Sequence, residues 1–371
     1  MDMASNQPDN LALTAEQLRE YSAAFNADRA NLVAANAAVS NGILQAATSY
    51  RGVRELPRTF SVELKQGSIT SQEHSGRCWM FASLNTLRYE LMHKWNLDDF
   101  EFSESYLFFY DKLEKSNFYL ENVLKTLDKT TDSRIFEAVN EGPADDGGWW
   151  QMFVALVKKY GLVPKEAYPE SSNSRDSSAF EQYLNTKLRE FAAELRDAHQ
   201  AGKSVEELRS LKTGQMSVVY RICAIAMGEP PASFDLLLRV KDEGKDDAKA
   251  SESGTKSGID SRRQIVEHGI TPQEFYAKYV GEDLDDFVSL TNSPLASTPY
   301  YRRYQLAFVG NVAEAAPMDF INVPLDVFRK AAVDQLTAGH PIWFACDCAQ
   351  FSLRKAGIFD RGTVRVDELF G

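Results

Sequence analysis

Residues 72–83 read QEHSGRCWMFAS, a polar turn that runs into an apolar segment with Cys78 at the junction. Apolar side chains then recur at helical spacing, which predicts a helix that begins at Gly76–Cys78. The residues of this apolar stripe are Met80, Leu84, Leu87 and Leu91. Because the N-terminus of a helix favours negative charge, a thiol at that position is predicted to react as a thiolate. The alternative is a buried structural thiol, since free cysteine is among the most buried residue types.

The turn before Cys78 offers a second group for the same chemistry. Acyl transfer passes through a tetrahedral intermediate whose oxyanion needs preorganised donors, and the unpaired N–H groups at a helix N-terminus can supply them. Gln72 lies on the turn before Cys78 and can add a side-chain N–H to this set. These residues predict nucleophilic acyl transfer, which also requires a general base.

The composition excludes several other classes of protein. With 371 residues, 44% of them hydrophobic and 25% charged, the chain resembles soluble globular proteins of one or two domains. A net charge of -12 argues against general binding to nucleic acids, which requires clustered lysine and arginine. The first ten residues lack the pattern of a signal peptide, no apolar run is long enough to span a bilayer, and four cysteines are too few for a disulfide scaffold. We therefore expect a cytoplasmic protein without membrane segments.

The order of the predicted elements indicates an α+β fold. Thr14–Gln17 has the form of a capping box, and helical periodicity continues from it to Asn41–Gly42. Another helix is predicted between Gly148 and Gly161, and a polar helical layer over 171–227. Strand-like runs come mainly late, at 304–309, 318–323 and 341–346. Helices first and strands last suit an α+β architecture.

The predicted domain organisation has four parts. They are a flexible N-terminus at 1–13, a helical half at 14–170 that carries the nucleophile, a mostly helical insertion at 171–265, and the start of a β-rich half at 266–371. Within the insertion, 241–263 reads KDEGKDDAKASESGTKSGIDSRR and contains almost nothing to bury, which predicts a flexible linker.

Segments along most of the chain resemble one known family. Gln72 together with Ser75–Ala82 is similar to the active-site segment of papain-fold cysteine peptidases, and within them to the branch of bleomycin hydrolase and bacterial aminopeptidase C. The similarity continues at 102–115 (FSESYLFFYDKLEK), 146–152 (DGGWWQM), 159–165 (KYGLVPK), 269–276 (GITPQEFY) and 341–347 (PIWFACD). Secreted papain-like enzymes usually carry another cysteine three positions before the nucleophile. Ser75 stands there in this chain, which agrees with an intracellular enzyme.

The resemblance implies a papain-like fold and a thiol aminopeptidase that acts on peptides and needs no cofactor. It assigns Cys78 as the nucleophile, Gln72 as the oxyanion donor, and Gly147–Gly148 as the glycine pair whose backbone lies beside an extended substrate. Glycine lacks a Cβ, so two backbones can approach there and exchange hydrogen bonds; the alternative is a plain turn before a helix. Trp79 is expected to pack behind the nucleophile. The family forms hexameric rings, so the resemblance also implies a homo-oligomer.

The family's general base has no counterpart in this sequence. A nucleophilic cysteine of this kind needs a histidine base and a third group that orients the imidazole. None of the five histidines lies in the sequence context of the family's catalytic histidine, and no Asn-Ser-Trp-Gly-like segment supplies the orienting asparagine. In the family, both segments follow the part that corresponds to Trp343–Gly371. We therefore expect a truncated and hence inactive or impaired form; the alternative is a non-catalytic peptide-binding or scaffold homologue.

Two further groups of residues favour simpler interpretations. Cys346-Asp347-Cys348, with His340 nearby, offers too few ligands at zinc spacing, so packing in a strand is preferred and no metal is expected. Asp145–Asp146 is a pair of adjacent carboxylates, but adjacency in sequence does not aim both at one site, so a solvated loop is preferred.

Overall fold

The computed structural model describes residues 12–241, 263–347 and 352–371. These residues separate into two units: one joins the residues up to Ser61 with those from Ala345 onward, and the other is Val62–Phe344. Most of the predicted N-terminal tail and of the predicted linker lie outside the described residues. The predicted four-part domain organisation stays a prediction.

Capping signals in the sequence start the helices of the first unit. These helices are α1 (Ala15–Ala27), α2 (Arg29–Asn41), α3 (Ile43–Ala46) and α4 (Tyr50–Glu55). The capping box before α1 is confirmed, because the Thr14 hydroxyl accepts from the Gln17 N–H and the Gln17 side chain accepts from the Thr14 N–H. The prediction of one continuous helix as far as Gly42 is wrong. Asp28 is extended, and its carboxylate accepts from the Ala30 N–H at 2.8 Å, so it starts a second helix.

The core of the second unit is a set of helices packed around α6. Its first helices are α5 (Cys78–Lys94), α6 (Glu104–Lys125), α7 (Arg134–Asn140), α8 (Trp150–Tyr160), α9 (Ser172–Arg175), α10 (Ser178–Gln200) and α11 (Val205–Met227). Contacts join α6 to α5, α7, α8, α10 and α11, so it is buried on most of its faces. Five of its charged side chains are buried with it, and these are Glu104, Asp111, Lys112, Glu114 and Lys115. Charges so deep in a core require partners. Lys112 and Lys115 have theirs beside the glycine pair, whereas Glu114 pairs with Lys159 of α8 at 2.6 Å.

The helices nearest the nucleophile begin and end where the sequence predicts. The four residues of the apolar stripe on α5 are each at most 1% exposed, so the predicted helix and its buried face are confirmed. The helix α8 follows Gly148 and ends at Gly161, whose φ of +71° suits glycine at a helix end. The predicted helical layer is also confirmed, as α9, α10 and α11.

An antiparallel pair of strands, which begins in the predicted insertion and ends just after it, was missed. It consists of β1 (Phe234–Val240) and β2 (Arg263–Ile270), with Val240 opposite Arg263 and Leu237 opposite Val266. Buried and exposed residues alternate along β1. The sequence FDLLLRV shows this alternation only in part. Asp235 and Arg239 are polar at exposed positions, but the exposed Leu237 is as apolar as its buried neighbours and interrupts the pattern. The insertion is therefore not purely helical.

The later part of the second unit contains a small mixed sheet. The elements of this part of the chain are α12 (Pro272–Phe275), a π-helical turn (Tyr276–Val280), β3 (Leu290–Thr291), β4 (Arg302–Gln305), β5 (Asp319–Asn322) and α13 (Leu325–Thr337). The strand order is β3–β5–β4, with β3 parallel and β4 antiparallel to β5.

Two of the three predicted late strands need correction. The strand at 318–323 is confirmed by β5. Of 304–309 only the first two residues pair, because the chain turns away at Phe308, whose φ is +59°. The prediction of a strand at 341–346 is wrong, since residues 341–347 form no strand. Pro341 has no N–H for a ladder, and the Trp343 indole donates instead to the Trp79 carbonyl at 3.1 Å.

The first unit is completed by β6 (Ser352–Leu353), β7 (Ile358–Phe359) and α14 (Val366–Phe370). The Ser49 N–H donates to the Thr363 carbonyl and the Arg365 N–H to the Ala47 carbonyl, both at 2.8 Å. Val364 between them is buried. Over the ranges that the structure describes, no helix is both long and apolar enough to cross a bilayer.

Candidate active site

Cys78 is the first residue of α5 and is exposed. The Arg77 carbonyl accepts hydrogen bonds from the N–H groups of Met80 and Phe81, at 2.9 and 3.0 Å. The N–H groups of Cys78 and Trp79 donate to no acceptor among the described residues. Free N–H groups at a helix N-terminus attract negative charge, so the backbone can bind an oxyanion that develops beside Cys78.

Gln72 stands in the turn that leads into α5. Its carbonyl accepts from the Ser75 N–H at 3.2 Å and from the Ser75 hydroxyl at 2.7 Å, which closes the turn. Glu73 has a left-handed φ of +51°, and its carboxylate pairs with Arg175 at 3.2 Å. The Gln72 side chain is half-buried and forms no hydrogen bond with another described residue. Its amide is therefore available as a donor.

Arg77 fixes the backbone immediately before the nucleophile. Its side chain is 1% exposed, and two of its nitrogens bind the two carboxylate oxygens of Glu170, each at 3.0 Å. Its Nε donates to the Ser75 hydroxyl at 2.8 Å, and the rings of Phe81 and Phe108 lie about 5 Å from the guanidinium. A bidentate pair of this kind is directional, so it orients the start of α5. Arg77 is not among the residues predicted from the sequence, although a charge that directly precedes an apolar helix was a usable signal.

The predicted glycine pair lies against the turn that carries Cys78. The Gly147 N–H donates to the Gly76 carbonyl at 3.2 Å. Gly147 has a φ of +91°, and a Cβ built on it would meet nothing within 4 Å, so it requires glycine for its conformation and borders open space. A Cβ on Gly148 would instead lie 2.6 Å from the Trp79 ring. Gly148 therefore permits the close packing of Trp79, which is buried as expected.

Asp146 ties the same two segments together by its side chain. One carboxylate oxygen accepts from the Gly76 N–H and from the Ser177 hydroxyl, both at 2.6 Å, and the other pairs with Lys112 at 2.8 Å. Glu181 contacts both Lys112 and Asp146. Burial opposes the charge of Asp146, but the hydrogen bonds from Glu181, Lys112 and Ser177 hold its pKa well below the usual range. Burial, together with the hydrogen bond that its carboxyl donates to Asp146, raises the pKa of Glu181 to about 8.

Lys115 supports the glycine pair from the next turn of α6. Its ammonium donates to the Gly147 carbonyl at 2.6 Å and to the Asp145 carbonyl at 2.8 Å. It also pairs with Asp111 at 3.0 Å and lies 5.5 Å from the centre of the Trp79 ring. The backbone of Gly147 is thus held at both its N–H and its carbonyl.

The interpretation of Asp145–Asp146 as a solvated loop is wrong for Asp146. Its side chain is 13% exposed and fully engaged, whereas Asp145 lies at the surface. Lys112, whose ammonium pairs with the buried Asp146 carboxylate, lies on a helix 34 positions earlier in the sequence. Only a tertiary contact reveals the pair, because Lys112 stands among other charged residues, Asp111, Glu114 and Lys115, and nothing local distinguishes it.

None of the five histidines bonds to Cys78 in the structure, and all five are exposed. His340 Nδ1 lies 2.8 Å from Glu90 Oε1, His268 pairs with Asp235 at 3.1 Å, and His93 Nδ1 lies 2.8 Å from the Tyr89 carbonyl on its own helix. The described residues therefore place no imidazole in contact with the nucleophile.

A groove borders the glycine pair. A cavity of about 350 Å³ is lined by Gly147, Gly148 and Trp149 on one side and by Phe118 and Phe308 on the other. An adjoining cavity of about 530 Å³ continues along the loop at 305–318. A space of this size suits side chains of a bound peptide.

Metal ligation finds no support in the described ranges, where no three His, Cys, Asp or Glu side chains converge on one point. Cys346 is exposed and lies in no strand, and Cys348 falls outside the described residues. Packing of Cys346 in a strand, which the sequence favoured, is therefore wrong.

Comparisons with known proteins agree over almost the whole chain. The model of the Peptidase C1-like family matches residues 12–371. Aminopeptidase C of Lactobacillus delbrueckii subsp. lactis is 39% identical over 338 residues, which cover 91% of this chain and 71% of the relative. Aminopeptidase E of Lactobacillus helveticus is 39% identical over 360 residues, which cover 97% of this chain and 77% of the relative. The crystal structure of PepW from Lactobacillus rhamnosis aligns with a TM-score of 0.89 at 36% identity, covering 97% of this chain and 76% of that one.

Proposed function

Because the chain belongs to the Peptidase C1-like family, we propose that Cys78 is the nucleophile of a cysteine-type aminopeptidase, Gln72 its oxyanion donor, and Gly147–Gly148 its peptide-binding backbone. The enzyme class is that of the family and of the aminopeptidase C relatives, and the chain is a cysteine-type peptidase. The predicted resemblance and the predicted α+β, papain-like fold are confirmed.

The exposed sulfur at the first position of α5, with free N–H groups beside it, is the observation that carries this proposal. The thiolate of Cys78 attacks the carbonyl carbon of the peptide, and the carbonyl oxygen becomes an oxyanion. The Cys78 N–H and the Gln72 amide stabilise that oxyanion. Collapse of the intermediate breaks the C–N bond, the leaving amine takes up a proton, and a thioester remains. Water then hydrolyses the thioester and regenerates the thiol.

The substrates proposed are peptides that are cleaved at their N-termini, as the names of the relatives indicate for those proteins. Support comes from Gly147, whose Cα side borders open space, and from the groove beside it. The N–H and carbonyl of Gly147 are already bonded, whereas those of Gly148 bond to no other described residue. An extended peptide can therefore exchange backbone hydrogen bonds with Gly148 while its side chains occupy the groove. No resident cofactor takes part in this mechanism.

The general base is the part of the mechanism for which the described residues supply no candidate. Its predicted position beyond Gly371 stays a prediction. The intact mass of the protein from its native cells tests it: a mass well above 41.7 kDa supports a histidine supplied by further residues, and 41.7 kDa without a partner fragment contradicts it.

A thiol-specific epoxide separates catalysis from the alternative of a non-catalytic peptide-binding homologue. For the protein purified from its native cells, with any further residues that supply the base, the proposal expects labelling confined to Cys78 and faster than that of free thiols. It also expects hydrolysis of an amino-acid amide whose N-terminus is free. An N-acetylated version of the same amide should be spared. Labelling no faster than for a free thiol, with peptide binding retained, would favour the binding protein.

Assembly and location are further parts of the proposal. A hexameric ring and a cytoplasmic location are supported by the family resemblance. Light scattering of the purified protein tests the ring, because a monomer at micromolar concentration would contradict it. Fractionation of native cells tests the location.

A further inference from the structure

Gly76 is held on both sides by the segment that contains the glycine pair. Its N–H donates to the Asp146 carboxylate at 2.6 Å, and its carbonyl accepts from the Gly147 N–H at 3.2 Å. Gly76 precedes Cys78 by two residues, and Asp146 precedes Gly147 directly. These two bonds therefore join the nucleophile turn to the peptide-binding backbone.

The packing between Gly76 and Asp146 leaves no room for a side chain on Gly76. A Cβ on Gly76 would lie 2.5 Å from the Asp146 Cβ, so no other residue fits at Gly76 without displacing Asp146. The Asp146 side chain thus packs against the turn at its Cβ while its carboxylate is hydrogen-bonded to it.

Asp146 takes its own position from two other helices. Lys112 of α6 is completely buried and pairs with Asp146 at 2.8 Å, and Ser177 at the start of α10 donates to it at 2.6 Å. Glu181 of α10 completes the cluster by contacting both Asp146 and Lys112. A buried charge pair with its hydrogen bonds satisfied has few alternative arrangements. The carboxylate is therefore a fixed point rather than a mobile loop side chain.

We propose that Asp146 is a positioning residue that sets the distance between the Cys78 sulfur and the peptide bound along Gly147–Gly148. This inference rests on the proposed function, in which those residues act on one peptide. Asp146 touches neither the sulfur nor the peptide and acts through Gly76 on one side and Gly147 on the other. A displacement of about 1 Å between reacting groups can cost about 100-fold in rate, so a fixed connection at this place matters for catalysis.

Protection of Cys78 by a peptide aldehyde tests the proposal without requiring turnover. The sulfur adds to the aldehyde carbon and the oxygen takes up a proton, which gives a reversible hemithioacetal that needs both the sulfur and the aligned peptide. Alkylation of Cys78 by iodoacetamide, followed by mass spectrometry of its proteolytic peptide, measures the free fraction. Iodoacetamide is small and needs no contact with the glycine pair, so it reports on the sulfur alone.

The variant Asp146→Asn keeps the shape of the side chain but not its charge. We expect the aldehyde concentration for half-protection to rise about tenfold or more, while the unprotected alkylation rate changes less than about threefold. Ser177→Ala removes one donor to the same carboxylate oxygen and should give a smaller rise in the same direction. Glu121→Gln is the matched control, because Glu121 is a carboxylate of similar exposure, 15% against 13%, paired in the helical layer. It should change neither quantity.

An unchanged aldehyde concentration for half-protection in Asp146→Asn would overturn the proposal. So would an equal effect of Glu121→Gln, because the loss would then reflect general destabilisation. If Asp146→Asn shows no cooperative melt, Ser177→Ala decides by the same criterion. If the aldehyde fails to protect the unsubstituted protein, the proposed function fails first and the inference fails with it. If the aldehyde protects the unsubstituted protein and Asp146→Asn equally well, the inference is refuted while the proposed function stands.

Discussion

The surroundings of Cys78 and those of the five histidines differ in how their charges are placed. Beside Cys78, Arg77 is 1% exposed and Lys112 is completely buried, and each is bonded to a carboxylate. His340 and His268 are 60% and 79% exposed, and each faces a single carboxylate at the surface. Buried charges lose their hydration and must be paired in a defined geometry, whereas surface pairs are solvated and screened. The structure therefore specifies the position of the nucleophile closely and that of the histidines weakly.

Replacement of the nucleophile should have the largest effect. In Cys78→Ala we expect hydrolysis and epoxide labelling to fall by about 1,000-fold or more, since no other thiol occupies this helix end. The exposed Cys346 is the matched control, and Cys346→Ala should keep the rates of hydrolysis and of epoxide labelling within about twofold. Residual turnover of more than a few per cent in Cys78→Ala would contradict the assignment of the nucleophile.

Breaking the buried pair before the nucleophile should cost the most stability. Arg77→Ala leaves Glu170 charged and 8% exposed without its partner, so we expect the free energy of unfolding to fall by about 3–5 kcal/mol, measured by urea denaturation. Lys203→Ala removes an exposed pair with Glu207 and should leave the urea midpoint unchanged. Similar shifts in the two variants would show that burial does not determine how much these ion pairs contribute to stability.

The glycine beside Trp79 tests how tightly the two site segments pack. A Cβ at Gly148 would overlap the Trp79 ring, so Gly148→Ala should destabilise the fold by about 1–3 kcal/mol and slow peptide hydrolysis. Gly214 lies inside α11 with nothing within 4 Å of a built Cβ. Gly214→Ala should therefore raise stability by about 0.5–1 kcal/mol. Thermal unfolding of both variants gives the comparison, and shifts of the same sign would refute it.

The buried carboxyl of Glu181 predicts a pH dependence of stability. Its pKa is about 8 in the folded protein and near 4.5 when unfolded, so the folded state binds more protons between these values. Stability should accordingly fall as the pH rises from 5 to 8, and Glu104, with a pKa of about 7 caused mainly by burial, adds to the fall. Glu181→Gln should reduce the fall by about 1 kcal/mol or more. Glu207→Gln is the control, because the pKa of Glu207 in the folded protein is lowered to about 2, so its carboxyl does not titrate in this range.

Local signals explain what the sequence could predict here. Each of the predicted features is carried by residues close together in the chain: the turn that ends at Cys78, the glycine pair, the stripe of α5, the capping box of α1 and the glycines on either side of α8. The Lys112–Asp146 pair and the Arg77–Glu170 pair join residues far apart in sequence, so no local pattern reveals them. The wrong strand at 341–346 was apolar enough for a sheet, but tertiary packing of Trp343 and the missing donor of Pro341 decided otherwise.

Removal of a surface histidine should have the smallest effect, and it tests whether the surroundings of the histidines are as weakly specified as the comparison with Cys78 indicates. His340 pairs with Glu90 in the middle of α5, and at 60% exposure the pair contributes less than about 1 kcal/mol. His340→Ala should leave urea denaturation nearly unchanged and the rate of Cys78 labelling within about twofold. Glu90→Gln, which removes the same pair from the other partner, is the control and should match it. A large loss of labelling in His340→Ala alone would make this imidazole the base of Cys78, and the contrast between a specified nucleophile and weakly placed histidines would fail.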